Sequence, residues 1–341
     1  MNPILEKAKI KFFKPKESIR AGLNIGVSSV KLVKLKVTPE AAEVCGVALS
    51  PAQDMESALR GLAQEQGLKR VNISVSGQQS IIRYIDFPKM TAEELKQSIK
   101  FEAQKHIPFP VSEVNLDACI LKDLRDNKMR VLVAAVKKEL LSQRLKLLKD
   151  IGLDVDVVDI DSLALINAFN YSYSQEPDVR SKTIALLNIG SATSNLNILE
   201  DGLPALSRDI TVGGNNFTQR IADALGIDFT AAEEVKTGAG SRKDAKVASA
   251  AEQVLAKLAQ DVRTSFDFYE SRSVTSVEKI YVSGGASLFP GLQEALANFL
   301  GLEVAQWDPF RKISVAPGLD TATIQSSAGQ LAVAAGLALR A

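Results

Sequence analysis

Histidine is almost absent from this chain: His106 is the one example among 341 residues, and there are only two cysteines, Cys45 and Cys119. That scarcity excludes a zinc site built from His and Cys at the usual ligand spacing, and it excludes a disulfide framework. Any catalytic dyad based on histidine would have to use His106. Two widely separated cysteines suit a reducing compartment. Long apolar runs are lacking too. The longest uncharged stretch, Thr321 to Leu339, contains Gln325, Ser326, Ser327 and Gln330, too polar for a bilayer core, and no segment reads as a signal peptide. What is present is ordinary: 46% hydrophobic and 24% charged residues, enough to build cores and too apolar for a disordered chain. The length predicts two or more subdomains rather than one core.

The net charge of +1 conceals a split. Residues 1–20 hold six Lys and Arg against two Glu, a local +4, which leaves 35 basic against 38 acidic residues, or −3, for residues 21–341. The mildly acidic body has no footprint for a phosphate backbone, so nucleic-acid binding is not expected. In the basic leader, Leu5, Ala8 and Phe12 would share one helical face ringed by lysines. Two readings stand there, a solvated leader and a membrane-surface segment.

Periodicity predicts an α/β protein. Ala21–Leu35 reads as strand, glycine turn, strand; Asp54–Gln66 as a helix; and Thr91, with Glu94 three residues later, as the capped start of another. Asn115–Leu121 and Arg130–Val136 read as a hairpin. Tyr171–Lys182, a polar stretch, is the expected linker between halves. Lys243–Glu270 reads as a long helix, Lys279–Val282 as a buried strand before Ser283-Gly284-Gly285, and Ala328–Leu339 as a helix of small residues. The most informative feature is an internal repeat. Leu23-Asn24-Ile25-Gly26 and the nine residues after it align without gaps on Leu187-Asn188-Ile189-Gly190 and its successors, with Ser29 matching Thr193. Two related halves facing each other would form a cleft.

Glycine after a buried strand lets the backbone approach a ligand closely. The N–H groups of such turns, with the hydroxyls of Ser28, Ser29 and Thr193, can hold phosphate oxygens. A third site, Gly284-Gly285, would suit an adenosine moiety.

These ordered elements, with Ala232-Glu233 to Lys236, resemble the actin-like ATPase (ASKHA) superfamily. Within it the chain resembles the PilM family of type IV pilus assembly. The narrower resemblance rests on Ile85-Asp86-Phe87-Pro88-Lys89-Met90, Phe101-Glu102-Ala103, Ile107-Pro108-Phe109-Pro110, Ser207–Thr218 and Ser283–Leu292. It covers residues 21–341.

The resemblance implies two related halves with an ATP (or ADP) cleft between them and an insertion in each, arranged as in the cell-division protein FtsA. The expected divisions are a leader (1–19), subdomain 1A (20–84), an inserted subdomain 1C returning to 1A (85–160), a linker helix with subdomain 2A (161–212), subdomain 2B (213–278), 2A again (279–320), and a C-terminal helix on 1A (321–341). It implies that Gly26, Ser28 and Ser29 serve one phosphate loop and Gly190, Ser191 and Thr193 the other. Gly213 and Gly214 would lie near the phosphates, Glu233 and Lys236 would reach the ribose and base, and Gly284 and Gly285 would line the adenosine side. The implied partner is the cytoplasmic tail of a PilN-like membrane pilus protein, at the cytoplasmic face of the inner membrane. Phe87, Pro88, Phe109 and Pro110 are candidates for its groove, against ordinary packing of the insert. Self-association is left open.

The chain departs from the superfamily at two positions, where Asn24 and Asn188 replace the usual aspartates. An amide keeps the shape but neither the charge nor the proton-accepting ability, so magnesium positioning and water activation both weaken. The expected protein is therefore a nucleotide-binding scaffold, at most a slow ATPase. The alternatives are an active ATPase or kinase of the superfamily and a filament-forming FtsA-like protein. His106 is expected to cap or pack at a helix end, Arg208 and Asp209 to pair locally or to face phosphate, and the cysteines to be small core residues.

Overall fold

A computed structural model describes residues 18–238 and 244–340. The basic leader and its amphipathic pattern lie outside the described residues. The chain opens on an antiparallel meander, β1 (Ser18–Ile25), β2 (Ser29–Val37) and β3 (Ala42–Pro51). Helix α1 (Met55–Glu65), whose first N–H groups are capped by Asp54, leads to β4 (Arg70–Val75), parallel to β1. An insert follows: β5 (Ser80–Pro88), α2 (Ala92–Ala103), β6 (Val114–Asp123) and β7 (Lys128–Lys137), forming their own sheet in the order β5-β7-β6. The expected capping box is present, with Thr91 and Glu94 bonded reciprocally. Helix α3 (Lys138–Asp150) returns to β8 (Asp154–Ile160), parallel to β4, and α4 (Asp161–Tyr173) and α5 (Pro177–Ser181) cross to the second half.

That half repeats the plan. It runs through β9 (Thr183–Ile189), β10 (Ser194–Glu200) and β11 (Leu203–Ile210), then α6 (Gly214–Leu225), α7 (Phe229–Thr237) and α8 (Ala245–Glu270). It continues with β12 (Val277–Ser283), α9 (Leu292–Leu300), β13 (Glu303–Gln306), β14 (Ser314–Val315) and α10 (Thr321–Ala338). The sheets run β14-β3-β2-β1-β4-β8 and β11-β10-β9-β12-β13. In each, a three-stranded meander pairs its first strand in parallel with the strand after it. The sequence repeat is thus a repeat of topology.

Both faces of each sheet are covered, which explains the nearly continuous apolar strands. In β9, Ala185, Leu187 and Ile189 pack against α8 and α9, while the alternate residues Ile184 and Leu186 pack with α4 and α10. In the first sheet, Leu23, Ile25 and Leu32 face α1 and α3, while Val33 and Leu35 face α10. Helix α10 therefore serves both halves: Ala334, Ala335 and Ala338 turn to the first, Ala332, Val333 and Leu337 to the second. Its small residues allow very close approach. A Cβ at Gly336 would stand 1.8 Å from the Ala164 carbonyl oxygen, and one at Gly22 2.0 Å from that of Ala334. Among the described residues no helix is long and apolar enough to cross a membrane.

One expectation is sharpened and one fails. Tyr171–Lys182 does join the halves but is packed rather than loose: Tyr173 stacks on Phe169 at 5.0 Å, Trp307 meets Phe169 edge-on at 5.2 Å, and the buried Ser172 hydroxyl donates to the Pro309 carbonyl at 2.9 Å. Aromatic rings, not counted as apolar helix stripe, carry the polar-looking run into the core. The cysteines are not core residues, since Cys45 is half-buried and Cys119 exposed.

The glycine contacts predict substitutions of opposite sign. Gly336→Ala forces α10 away from α4 and should cost at least the upper part of the about 1–3 kcal/mol typical of overpacking. Gly61→Ala, in α1 with open space where its Cβ would go, should stabilise by about 0.5–1 kcal/mol. Urea denaturation of both variants checks the pair.

Candidate functional site

The two repeated hairpins close with the same turn. Gly26 N–H donates to the Ser29 carbonyl at 3.1 Å, and Gly190 N–H to the Thr193 carbonyl at 3.0 Å. Both turns stand on the wall of one cavity of about 1060 Å³. Gly26, Ser28, Ser29, Gly190, Ser191 and Thr193 all line it, as do Asn24 and Asn188 beneath the turns. Antiparallel register places Lys31 opposite Asn24 and Asn195 opposite Asn188, and both partners also line the cavity.

The second turn is braced by backbone. Gly214 N–H donates to the Gly190 carbonyl at 2.8 Å and Asn215 N–H to that of Ser191 at 2.7 Å, so the start of α6 is spent on the turn. Gly213 N–H is taken by the Asn216 side chain at 2.8 Å. Gly214 lines the cavity; Gly213 does not, and packs behind the turn, where a Cβ would lie 2.6 Å from the Ser191 carbonyl oxygen. Gly284, at φ +89°, comes closer still: a Cβ there would lie 2.3 Å from the Ile189 carbonyl oxygen. Gly284 and Gly285 both line the cavity beside Gln330 of α10.

Along α7, Phe229, Glu233 and Lys236 fall on one face and line the far side. The Lys236 ammonium contacts the Glu233 carboxylate at 2.6 Å and donates to the Thr218 hydroxyl at 2.9 Å. This pair is held in place rather than free to swing.

At the end near the first turn stands a group that sequence reasoning missed. Asp161, the first residue of α4, lines the cavity and accepts from the Asn24 amide at 3.4 Å. Burial pushes its carboxyl pKa up, and the negative charge of Asp209 adds to this; the neighbouring Ser74 and Ser76 hydroxyls and the Lys31 ammonium offset only part. Burial likewise pushes the Lys31 ammonium down, against the pull of Asp161. Arg144, from α3, also lines the cavity and feels the Asp161 charge. Lys31 and Asn195 were legible from hairpin register alone. Asp161 and Arg144 were not, because they reach the cleft from segments distant in sequence.

Neither Arg208 nor Asp209 lines the cavity, and the partners of both are mostly distant in sequence. Arg208 donates to the Ser265 hydroxyl at 3.2 Å, and Asp209 accepts from Asn195 and, at 3.1 Å, from the Gly77 N–H. His106 is exposed past the end of α2, and its carbonyl accepts from Arg83 at 3.2 Å. Of the partner-groove candidates, Phe87 is only 3% exposed and belongs to the insert's core. Pro88 and Pro110 are exposed, and Phe109 is half-buried with the Lys137 ammonium 5.0 Å above its ring.

The family model described as type IV pilus assembly protein PilM matches residues 22–341. The chain belongs to this family. A solved PilM-PilN type IV pilus biogenesis complex is similar at 29% identity and TM-score 0.85, covering 95% of this chain and 99% of that one. The ethanolamine utilization protein EutJ of Carboxydothermus hydrogenoformans (16% identity, TM-score 0.56, 96% and 91% covered) shares the fold. So does MreB5 of Spiroplasma citri bound to ADP (12% identity, TM-score 0.51, 94% and 95% covered). The family shares the actin-like ATPase fold, and the duplicated sheets described above are its architecture.

Asp161 yields a pH prediction. Its raised native pKa means the folded protein binds a proton more readily than the unfolded chain. Stability therefore falls as pH rises from the ordinary aspartate range to the native pKa, and then levels. Asp161→Asn should remove that fall and leave the variant more stable above the window. Denaturant titrations across pH decide it; an unchanged slope in the variant would count against the assignment.

Proposed function

We propose that this chain is a nucleotide-binding scaffold of the type IV pilus inner-membrane assembly complex, peripheral to the cytoplasmic face of that membrane. The observation that carries the nucleotide reading is the pair of matching glycine turns on the wall of one large cavity. Their hydroxyls and backbone suit the phosphates of ATP or ADP. The Gly284-Gly285 loop and the Phe229–Lys236 face of α7 bound the space left for ribose and base. Hydrolysis is slow or absent, because amides at 24 and 188 cannot accept a proton from water or bind a metal's aquo shell as carboxylates do. The halves then divide as 1A with inserted 1C and 2A with 2B, around the cleft.

The partner reading rests on the similar PilM-PilN complex. We assign the cytoplasmic tail of a PilN-like membrane protein to the surface of the insert that offers Pro88, Phe109 and Pro110. Phe87 supports that surface from inside.

ATP at about one hundred times its Kd should raise unfolding stability by about 2.7 kcal/mol, read as a thermal shift. No shift with either ATP or ADP would remove the nucleotide reading. Asn24→Asp with Asn188→Asp should raise magnesium-dependent turnover above that of the parent; equal rates would mean the two amides are not what limits it. A tethered PilN tail should retain the full chain, and Phe109→Ala should weaken capture. Failure of the parent to bind the tail would overturn the partner assignment.

A further inference from the structure

The actin-like fold implies a divalent cation beside the phosphates, and the donor set here does not suit one. Magnesium favours anionic oxygens and ordered waters in near-octahedral array. Among the described residues no cluster of three or more His, Cys, Asp or Glu is placed to hold a metal. The two strand-end amides are already engaged. Asn188 Oδ1 accepts from the Ser283 hydroxyl at 3.1 Å while its Nδ2 donates to Asn195 at 3.3 Å. Asn24 turns its Nδ2 toward Asp161. Asp161 itself stands in the field of two cations, Lys31 and Arg144.

Both cations line the cavity together with the first turn. Lys31 sits directly under the first turn: its Nζ is 3.4 Å from the Ser29 carbonyl oxygen and would be 3.1 Å from a Cβ at position 26. Glycine at 26 thus leaves the ammonium room at the turn. Arg144 reaches the same cavity from α3, outside the hairpin. Beside Asp161, the Ser74 hydroxyl is buried, lines the cavity and faces the Asp161 carboxyl.

We propose that this cleft takes its nucleoside polyphosphate without a divalent metal, the Lys31 ammonium and the Arg144 guanidinium supplying the countercharge at the phosphates. The inference rests on the nucleotide reading above and specifies the ligand as the metal-free anion. A point-like ammonium and a planar fork are complementary ways to meet phosphate oxygens. In a partly desolvated cleft their attraction for a polyanion far exceeds its value in water. The Lys236–Glu233 pair at the other end is internally balanced and adds no charge, so the excess positive charge is concentrated at the turn.

The test is calorimetric titration of ATP into the full chain, once in EDTA and once in excess magnesium. The expected result is binding in EDTA at least as tight as in magnesium. Lys31→Met and Arg144→Gln should each weaken binding in EDTA by roughly ten- to a hundredfold, the worth of a charge-assisted hydrogen bond. Binding that appears in magnesium and vanishes in EDTA overturns the proposal while leaving the nucleotide reading intact. Binding in EDTA that is indifferent to both substitutions also overturns it. Binding in neither condition overturns the nucleotide reading, and this proposal with it. The metal comparison uses the unaltered protein, so it decides even if a variant fails to fold.

Discussion

The close approach of three backbone segments at the second turn is the constraint on which the site depends. Gly213 and Gly284 both abut the strand end and turn at 189–192, at distances no side chain could tolerate. With Cβ atoms excluded, the start of α6 can donate into the turn, and the loop after β12 can reach the cavity wall. The turn is thereby fixed by hydrogen bonds from a helix terminus rather than by its own two-residue connection. A turn held this way keeps its shape without ligand, which would lower the ordering cost of binding the phosphates proposed for it. The same economy of side chains recurs where α10 passes between the halves: Gly22 and Gly336 let one helix touch both β1 and α4.

Duplication gives the halves one topology, but the equivalent positions have diverged. Across the hairpin from Asn24 stands Lys31; across from Asn188 stands Asn195. The first half therefore brings charge to the cavity, Lys31 and Arg144 set against the single carboxyl of Asp161. The second brings a chain of neutral amides and hydroxyls, Ser283 to Asn188 to Asn195, ending on Asp209. Cation and carboxylate face the cavity on one side, while the other side is stiffened by hydrogen bonds whose members satisfy one another. A fully satisfied polar network of this kind fixes geometry more than it adds stability.

Much of this was legible in the sequence, for reasons that differ by element. The repeat, the turn glycines and the capping box are local: each depends on residues within a few positions, so spacing alone reveals them. Register was legible too, since a turn closed between Gly26 and Ser29 dictates that Lys31 faces Asn24. Asp161 and Arg144 were hidden because their place in the cleft depends on how β8 and α3 return after the insert. The packing of Tyr171–Lys182 was hidden because its rings find partners in Phe169 and Trp307, one of them more than a hundred residues away. Phe87 shows the converse limit: strand alternation was visible, but which face met α2 was not.

The insert is joined to the second half, not only to the first from which it springs. Along one edge, Tyr84 of β5 meets the Ser207 hydroxyl of β11 at 2.7 Å, and the Gly77 N–H at the root of β5 donates to Asp209. Lys122 of β6 pairs with Glu200 at 3.5 Å. Tyr84 is buried enough that its phenol pKa is pushed well above the ordinary tyrosine value. Asp209 is also the terminus of the amide chain that begins at the cavity wall. A displacement of the second turn relative to the first half would therefore have to strain or break contacts at the insert's root. An insert attached to the first half alone could report nothing about the cleft. Bonded to both halves through Asp209, its position is tied to theirs, which is the physical requirement for any surface on the insert to respond to what the cavity holds.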